Sequence, residues 1–437
     1  MKRSIIFLGI ALMGLPASLP AQEPLSLSQA ECRERALAHS EELQQAENAL
    51  QQAGLDRKIA NSASLPNFEG SVLGAYMLPD IDMMGSELRM RGTYMAGISL
   101  TQPIYTGGKI SSGRRLAKIG EAVASEQRRM TRMEVIAEAD NAYWSYIAVE
   151  RKVKMTEQYK TLMDTLFHQT ETALKAGMAT DNDLLRIEAR RSEVLYQLQR
   201  ARNGADLCRL SLCRIIGVDS NTEFIPTDTL ITVTTPSQLS ADIDSRPELR
   251  LLEKQIEANE QQIRMTRADM LPSVGFSAGY TYYGNIKLKG TADIGNGTLI
   301  PFTQQFRDGI GIAMLAVKIP IFHWNEGRNK VRKAQFDLDN ARLEMQKSSR
   351  LLDLEVQQAI RNVEDGFRLI EAADLAFRQA EENLRVMHNR YAASMAPLTD
   401  LLDAQSQWQQ ASSNLIEAQT QYKIYETDYL RATGKLE

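Results

Sequence analysis

Apolar side chains recur at alternating three- and four-residue steps through Ile187, Val194, Leu198, Ala201, Ala205, Cys208, Leu212 and Ile215, with one interruption at Arg191. That spacing is the heptad-like seam of helices packed side by side. The seam returns 217 positions later as Ala404, Trp408, Ala411, Leu415, Ala418, Tyr422, Tyr425, Tyr429 and Ala432, where Ala411 matches Val194. Gly120 and Gly177 enclose 56 residues with neither Pro nor Gly, and residues 328 to 396 hold only Gly366 as a breaker. At 1.5 Å per residue the first stretch allows a helix of about 84 Å. Such helices do not fit inside a compact domain, so we expect one elongated unit. Ser28 with Glu31 and Ser245 with Glu248 have capping-box form and mark two helix starts, with Pro247 placed for a first turn.

Two islands follow a different period. Phe68, Val72 and Tyr76 alternate with Asn67, Glu69 and Ser71, and Tyr94, Ala96, Ile98 and Leu100 alternate with Thr93, Gly97, Ser99 and Thr101. Val274, Phe276, Ala278, Tyr280 and Tyr282 alternate with Ser273, Gly275, Ser277, Gly279 and Thr281. Each predicts a strand of about ten residues, the length that crosses a bilayer when tilted. A fourth strand, Gly309 to Ile321, changes phase: Ile310, Ile312 and Met314 share one face, while Leu315, Val317 and Ile319 take the other. A bulge or an exit from the hydrocarbon layer accounts for such a change. Ordinary hairpins packed on helices are the alternative reading. Gly, Ser and Thr on the polar faces and tyrosines near the strand ends favour a membrane sheet with a wet lumen. Four strands leave open edges, which hydrocarbon does not tolerate, and small barrels need about eight strands, so a channel built this way is an oligomer.

The islands sit at equivalent points of a duplicated chain. Ala176-Gly177-Met178-Ala179 and Ala393-Ser394-Met395-Ala396 are 217 apart, as are Asp183-Leu184-Leu185 and Asp400-Leu401-Leu402, Pro103-Ile104 and Pro320-Ile321, and Gly217 and Gly434. Leu65-Pro66 and Leu271-Pro272 are 206 apart, which puts an insertion of 11 residues into the Gly-rich stretch from Lys287 to Gln305. The expected organisation is a first repeat over 22–217 with its strand hairpin at about 66–105, a connector over 218–244, and a second repeat over 245–437 with its hairpin at about 272–322. A short extended piece is expected around Leu230 to Thr234.

Composition narrows the function. Lys and Arg total 51 against 55 acidic residues, a formal charge of −4, so no basic surplus exists to neutralise nucleic acid. No apolar run reaches the roughly 18 residues of a helical membrane span, yet a β-barrel never raises mean hydropathy and stays possible. Lys2 and Arg3, the apolar run from Ile5 to Leu15 and the small residues Ala17, Ser18 and Ala21 have the order of a secretory signal over residues 1–21, so export is expected. Cys208 and Cys213 lie too far apart on one helix for a disulfide, and with Cys32 they read as small buried hydrophobes. His39, His168, His323 and His388 are scattered, and no phosphate loop, nucleophile elbow or metal-ligand cluster is present, so neither catalysis, nor a cofactor, nor a metal is expected.

The leader, the two copies of helix, hairpin and long helix pair, and the motifs Gln102-Pro103-Ile104-Tyr105-x-Gly107-Gly108 and Ala176-Gly177-x4-Asn182-Asp183-Leu184-Leu185 together resemble the TolC family of outer-membrane efflux proteins. The resemblance runs from about Leu25 to Gly434. It implies a mainly α fold with a membrane β-barrel. In that fold, three copies make a homotrimer whose four-stranded sheets close one 12-stranded barrel, continued by an α-helical barrel of long hairpins. It further implies an exit channel in the outer membrane that extends into the periplasm and contacts outer-membrane lipid. The implied partners are a periplasmic adaptor (membrane fusion protein) and an inner-membrane transporter, in efflux or type I secretion of drugs, metals or proteins.

By the same resemblance Asp400 and Asp403 match an acidic constriction of the periplasmic gate, and Tyr391 and Asp183 match a pair that ties helix hairpins shut. First-turn acids after Pro397 are the other reading of the two aspartates. The family's locking arginine falls on Ala396, with Asn182 at its partner position, so Arg186 is the candidate substitute, pairing with Asp400 or Asp403. Gly177, Met178, Ser394 and Met395 match the adaptor-contact turns; a plain helix turn also explains Gly177. The rival reading of the whole chain is a soluble periplasmic coiled-coil adaptor or scaffold.

Overall fold

A computed structural model describes residues 25–83, 86–228, 239–293 and 299–437. The expected leader over 1–21 and the extended piece at Leu230 to Thr234 lie outside the described residues. The elements in order are β1 (Leu25–Leu27), α1 (Gln29–His39), α2 (Glu41–Ser62), β2 (Asn67–Tyr76), β3 (Ile81–Met83), β4 (Ser86–Arg89), β5 (Arg91–Tyr105), α3 (Lys109–Lys175), α4 (Asp181–Ile216), β6 (Phe224–Pro226), α5 (Pro247–Ala268), β7 (Ser273–Asp293), β8 (Leu299–Lys318), α6 (Glu326–Ala392) and α7 (Leu398–Ala432). No described helix is long and apolar enough to cross a membrane.

Packing divides the chain into two compact units. One takes the described parts of Met1–Ser40, Val135–Leu239 and Arg361–Asp428; the other takes Glu41–Glu134, Ser240–Ile360 and Tyr429–Glu437. Each unit draws on both sequence copies, because the partners of α3 change along its length. Its early part meets α2 through Arg57–Glu121 at 2.8 Å and Arg114–Asn61 at 2.7 Å. Its later part meets α4 through Asp164–Arg191 at 2.6 Å and α7 through Arg151–Gln419 at 2.8 Å.

The helical unit buries the predicted seam. Ile187, Val194, Leu198, Ala205 and Leu212 are buried, and Ala404 and Tyr422 repeat this on α7. Both α3 and α6 are 67 residues long and run straight through Gly120 and Gly366 respectively. At Gly366 the absent Cβ is used: one built there would lie 3.0 Å from the Tyr425 ring and 3.3 Å from the Tyr422 ring. Tyr143, Trp144, Tyr146, Leu212, Ile216 and Phe224 form one core cluster, against which β1 pairs in parallel with β6. Asp140 is fully buried there, held by Arg33 and by the Thr427 hydroxyl at 2.7 Å. Cys32, Cys208 and Cys213 are free thiols, buried or half-buried, and burial pushes Cys32 up to about 12.

The Ser28 capping box forms with Glu31. That of Ser245 does not: α5 starts at Pro247 with Arg246 as its cap and no side-chain cap hydrogen bond. Glu248 is drawn instead to the buried Arg246 at 2.7 Å, which also reaches Glu355 at 2.8 Å.

The second unit carries the sheet. Its strands run β2-β5-β7-β8 across one part, with β4 and β3 continuing beside β7. The expected ten-residue strand length holds for β2 alone; β5 has 15 residues, β7 has 21 and β8 has 20. The Gly-rich stretch assigned to the insertion is therefore strand as far as Asp293 and again from Leu299. The phase change of β8 is not a bulge. Pairing with β7 runs unbroken from Ser273↔Lys318 to Tyr283↔Asp308. Tyr280 covers Gly309 and Gly311 of β8, so β8 presents only small residues beneath that ring and carries Ile310, Ile312 and Met314 on the opposite face.

Candidate functional site

Register fixes the two faces of the sheet. Phe68↔Leu100, Leu100↔Ala278 and Ala278↔Ala313 put these residues on one face, and Gly70, Ile98, Tyr280 and Gly311 follow on the same side. This face is apolar from β2 to β8, yet Phe68 is 74% exposed and Val72 85%. The opposite face joins Glu69, Ser99, Gly279 and Ile312 in one row and Ser71, Gly97, Thr281 and Ile310 in the next. β2 and β8 each have one unpaired edge among the described strands. An uncovered apolar face together with two open edges is what a segment of a lipid-facing barrel presents before closure.

The helix-hairpin tips are built alike. After α3, Gly177 N–H donates to Leu174 O at 2.9 Å and Met178 N–H to Ala173 O at 2.8 Å; after α6, Ser394 N–H donates to Tyr391 O at 2.9 Å and Met395 N–H to Arg390 O at 2.7 Å. Both are Schellman closures, which need a left-handed residue. Gly177 supplies it at φ 73°, and Ser394 does so at φ 57° despite its Cβ. Met178 and Met395 stand 80% and 77% exposed.

Beside the tips the candidate gate residues occupy separate places within one chain. Tyr391 is half-buried in the core of Tyr159, Met163, Ile187, Leu398 and Leu401, its hydroxyl 3.3 Å from that of Thr170. Asp183 is the third residue of α4 and closes a capping box with Thr180, whose hydroxyl donates to it at 2.7 Å. That hydrogen bond, the backbone one beside it and the charge of Arg186 hold its carboxyl below the usual range. Asp400 lies in the first turn of α7, and it and Asp403 are exposed. Among the described residues no ion pair joins Arg186 to either aspartate.

Arg190, which the sequence reading passed over, does join elements. Its Nε donates to the buried Tyr159 hydroxyl at 3.0 Å and its Nη2 to Ser406 of α7 at 3.1 Å, while it also pairs with Glu193. An arginine one step from the seam has no mark in a single sequence. Only the fold shows that three helices meet around it.

The family model for outer membrane efflux proteins matches residues 32–218 and 239–435. The chain belongs to this family. Outer membrane protein TolC of Escherichia coli is 22% identical over 353 residues, covering 78% of this chain and 69% of that protein. OprJ of Pseudomonas aeruginosa is 24% identical over 428 residues, covering 91% and 82%. The solved outer membrane channel CmeC of Campylobacter jejuni superposes with a TM-score of 0.77 at 17% identity, over 94% of this chain and 86% of that one. VceC of Vibrio cholerae does so with 0.75 at 16%, over 93% and 96%. As an outer membrane efflux protein the chain is an exit channel and not an enzyme, and its fold is the mainly helical one with barrel strands. It resides in the outer membrane and reaches into the periplasm, which removes the soluble-adaptor reading.

Proposed function

We propose that three copies of the chain close the sheet into one 12-stranded barrel, β8 of each copy pairing with β2 of the next, and that the long helices continue this tube. The sheet carries this reading: among the described residues its apolar face is uncovered, its other face is largely polar, and both edges lack partners. In the assembly the apolar face meets outer-membrane lipid. The tips at Gly177, Met178, Ser394 and Met395 dock a periplasmic adaptor, which links the channel to an inner-membrane transporter; exposed, flexible methionines suit a partner's groove.

Asp400 and Asp403 line the periplasmic gate. Three turns of α7 around one axis bring their carboxylates together, which favours cations and opposes closure by mutual repulsion. Tyr391, Asp183 and Arg186 work against that repulsion, Arg186 reaching an aspartate of a neighbouring hairpin in the trimer.

Native mass spectrometry of the detergent-extracted protein tests the assembly, with three chains expected and a single chain excluding it. Conductance in planar bilayers tests the gate. Arg186→Ala channels are expected to conduct more at rest than the parent, and unchanged closure removes Arg186 from the lock.

A further inference from the structure

Three of the four strand paths of the sheet are interrupted or bulged at one level, while β8 runs through it. β2 ends at Tyr76, β4 and β5 are separated by Met90, and Gly284 and Asn285 of β7 together oppose Arg307 of β8. Gly92 and Asn285 take left-handed backbone there, at φ 70° and 62°, and the Asn285 amide donates to the carbonyls of Arg91 and Gly92 at 2.9 and 3.0 Å. Asp80 gathers both Arg89 and Arg91 at 2.9 Å.

Two residues against one change which side chains of β7 share a side with which of β8. Below the break, Tyr94 and Tyr282 lie on the apolar outward face with ring centroids 6.3 Å apart. Arg307 is on that same face, since its Nε donates to the Tyr282 hydroxyl at 2.6 Å. Beyond it, Lys287↔Gln305 and Lys289↔Thr303 follow on the side of Arg307, facing Arg89 and Glu87 of β4. Ile286↔Phe306, Leu288 with Leu88, and Phe302 take the inward side, with Gln304 opposite Leu288 as the polar residue among them. A Cβ at Gly290 would meet both the Ser86 hydroxyl and the Phe302 ring, which places these three on one side, as the register requires. The outward face thus turns from apolar to charged at the break, and the inward face turns apolar at the same level.

We propose that the apolar inward face of this raised hairpin, formed by Leu88, Ile286, Leu288, Phe302 and Phe306, is an interaction surface for the same face of the other copies, making an apolar collar at the outer mouth. The proposal rests on the trimeric barrel. In that barrel the inward side is where the copies face one another, so apolar groups there leave water only by meeting across the axis. Acyl chains are not the occupant, because the lysines and Arg307 mark the outward side as the wet one from this level upward. Such a collar narrows the mouth and resists wetting.

Cysteines placed one residue apart test it, in a Cys208→Ala background that leaves only the buried Cys32 and Cys213. In outer membranes, Leu288→Cys or Phe306→Cys is expected to yield covalently linked copies with an oxidant or a short bis-maleimide. Lys289→Cys is expected to stay unlinked and to react with an impermeant maleimide on intact cells. If both inward cysteines stay unlinked and label as fast as Lys289→Cys in particles of trimer mass, the collar is wrong and the barrel stands. Particles of single-chain mass overturn both. With the collar in place, Leu288→Asn with Phe306→Asn raises bilayer conductance several-fold over the parent, and unchanged conductance counts against it.

Discussion

The helical unit and the sheet answer the same demand, removal of apolar surface from water, in opposite ways. In the helical unit the large side chains are covered by the chain itself: Tyr143, Tyr159 and Met163 have no exposed surface. In the sheet the apolar face is complete and none of the described residues covers it, with Ile98 at 69% and Leu315 at 64% exposure. One region owes its stability to internal packing, the other to its surroundings. A substitution in the first therefore acts on the isolated chain. The same chemistry in the second acts through lipid and depends on which face it occupies.

The largest effect is expected where a charge is sealed inside the helical unit. Asp140 has no exposed side-chain surface and depends on Arg33 and Thr427. Arg33→Met leaves a buried carboxylate short of its cation and is expected to cost about 3–5 kcal/mol. Denaturant unfolding of the detergent-solubilised protein measures this, and Arg33→Met with Asp140→Leu is expected to recover most of the loss. A loss below about 1 kcal/mol for the single variant would break the view that this unit is internally determined.

In the sheet the expected effect depends on the face. Ala278 and Ser277 are neighbours in β7, one on each side. Ala278→Arg places a cation in the acyl layer at about 2–4 kcal/mol, whereas Ser277→Arg points into the lumen and costs far less. Unfolding from liposomes reads the difference. Equal costs would show that the two faces see the same solvent, and the membrane reading of the sheet would fall.

What the sequence displayed follows from this contrast. The seam through Ile187, Val194 and Leu212 and the alternation through Phe68 and Phe276 were legible because burial in a helix and exposure to lipid both write a period into the chain. The length of β7 and β8 was not. Beyond Gly284 the polar and apolar positions trade sides, so the Gly-rich stretch marks an insertion without displaying a strand period. The phase change of β8 was visible, but its cause lies on another strand, in the bulk of Tyr280. The buried setting of Arg246, which holds Glu248, was equally hidden, since its other partner, Glu355, lies 109 positions along the chain. Of the candidate site, the cap of Asp183 on Thr180 is local, yet it emerged only from the fold. Contacts like Arg190 with Ser406 join distant segments and leave no local trace.

Helix contact in the helical unit is close enough to be tested with a single methyl group. Gly366→Ala directs a Cβ at the rings of Tyr425 and Tyr422, and overpacking of this kind is expected to cost about 1–3 kcal/mol in a chain whose helix propensity the change improves. The same exchange at Gly120, where nothing lies within 4 Å of the added atom, is expected to be neutral or slightly stabilising. Thermal unfolding of the two variants in parallel separates packing from propensity.

The smallest effect belongs to the tips, where the two copies differ at one side chain. Both turns require a left-handed residue, and one copy uses Gly177 while the other uses Ser394. The strain of a side chain in that conformation is roughly 1 kcal/mol, and the wider freedom of an unfolded glycine returns about 0.4–1 of it. Ser394→Gly is accordingly expected to stabilise by no more than about 0.5 kcal/mol. Gly177→Ser is expected to destabilise by a similar amount, since open space around Gly177 leaves backbone strain as its sole cost. Hydrogen exchange at the amides of Met178 and Met395, each bonded back into the preceding helix, resolves changes of this size locally. Opposite signs at the two tips would show that backbone conformation alone sets their stability. Equal signs would show that Ser394 makes contacts in the assembled channel that Gly177 does not.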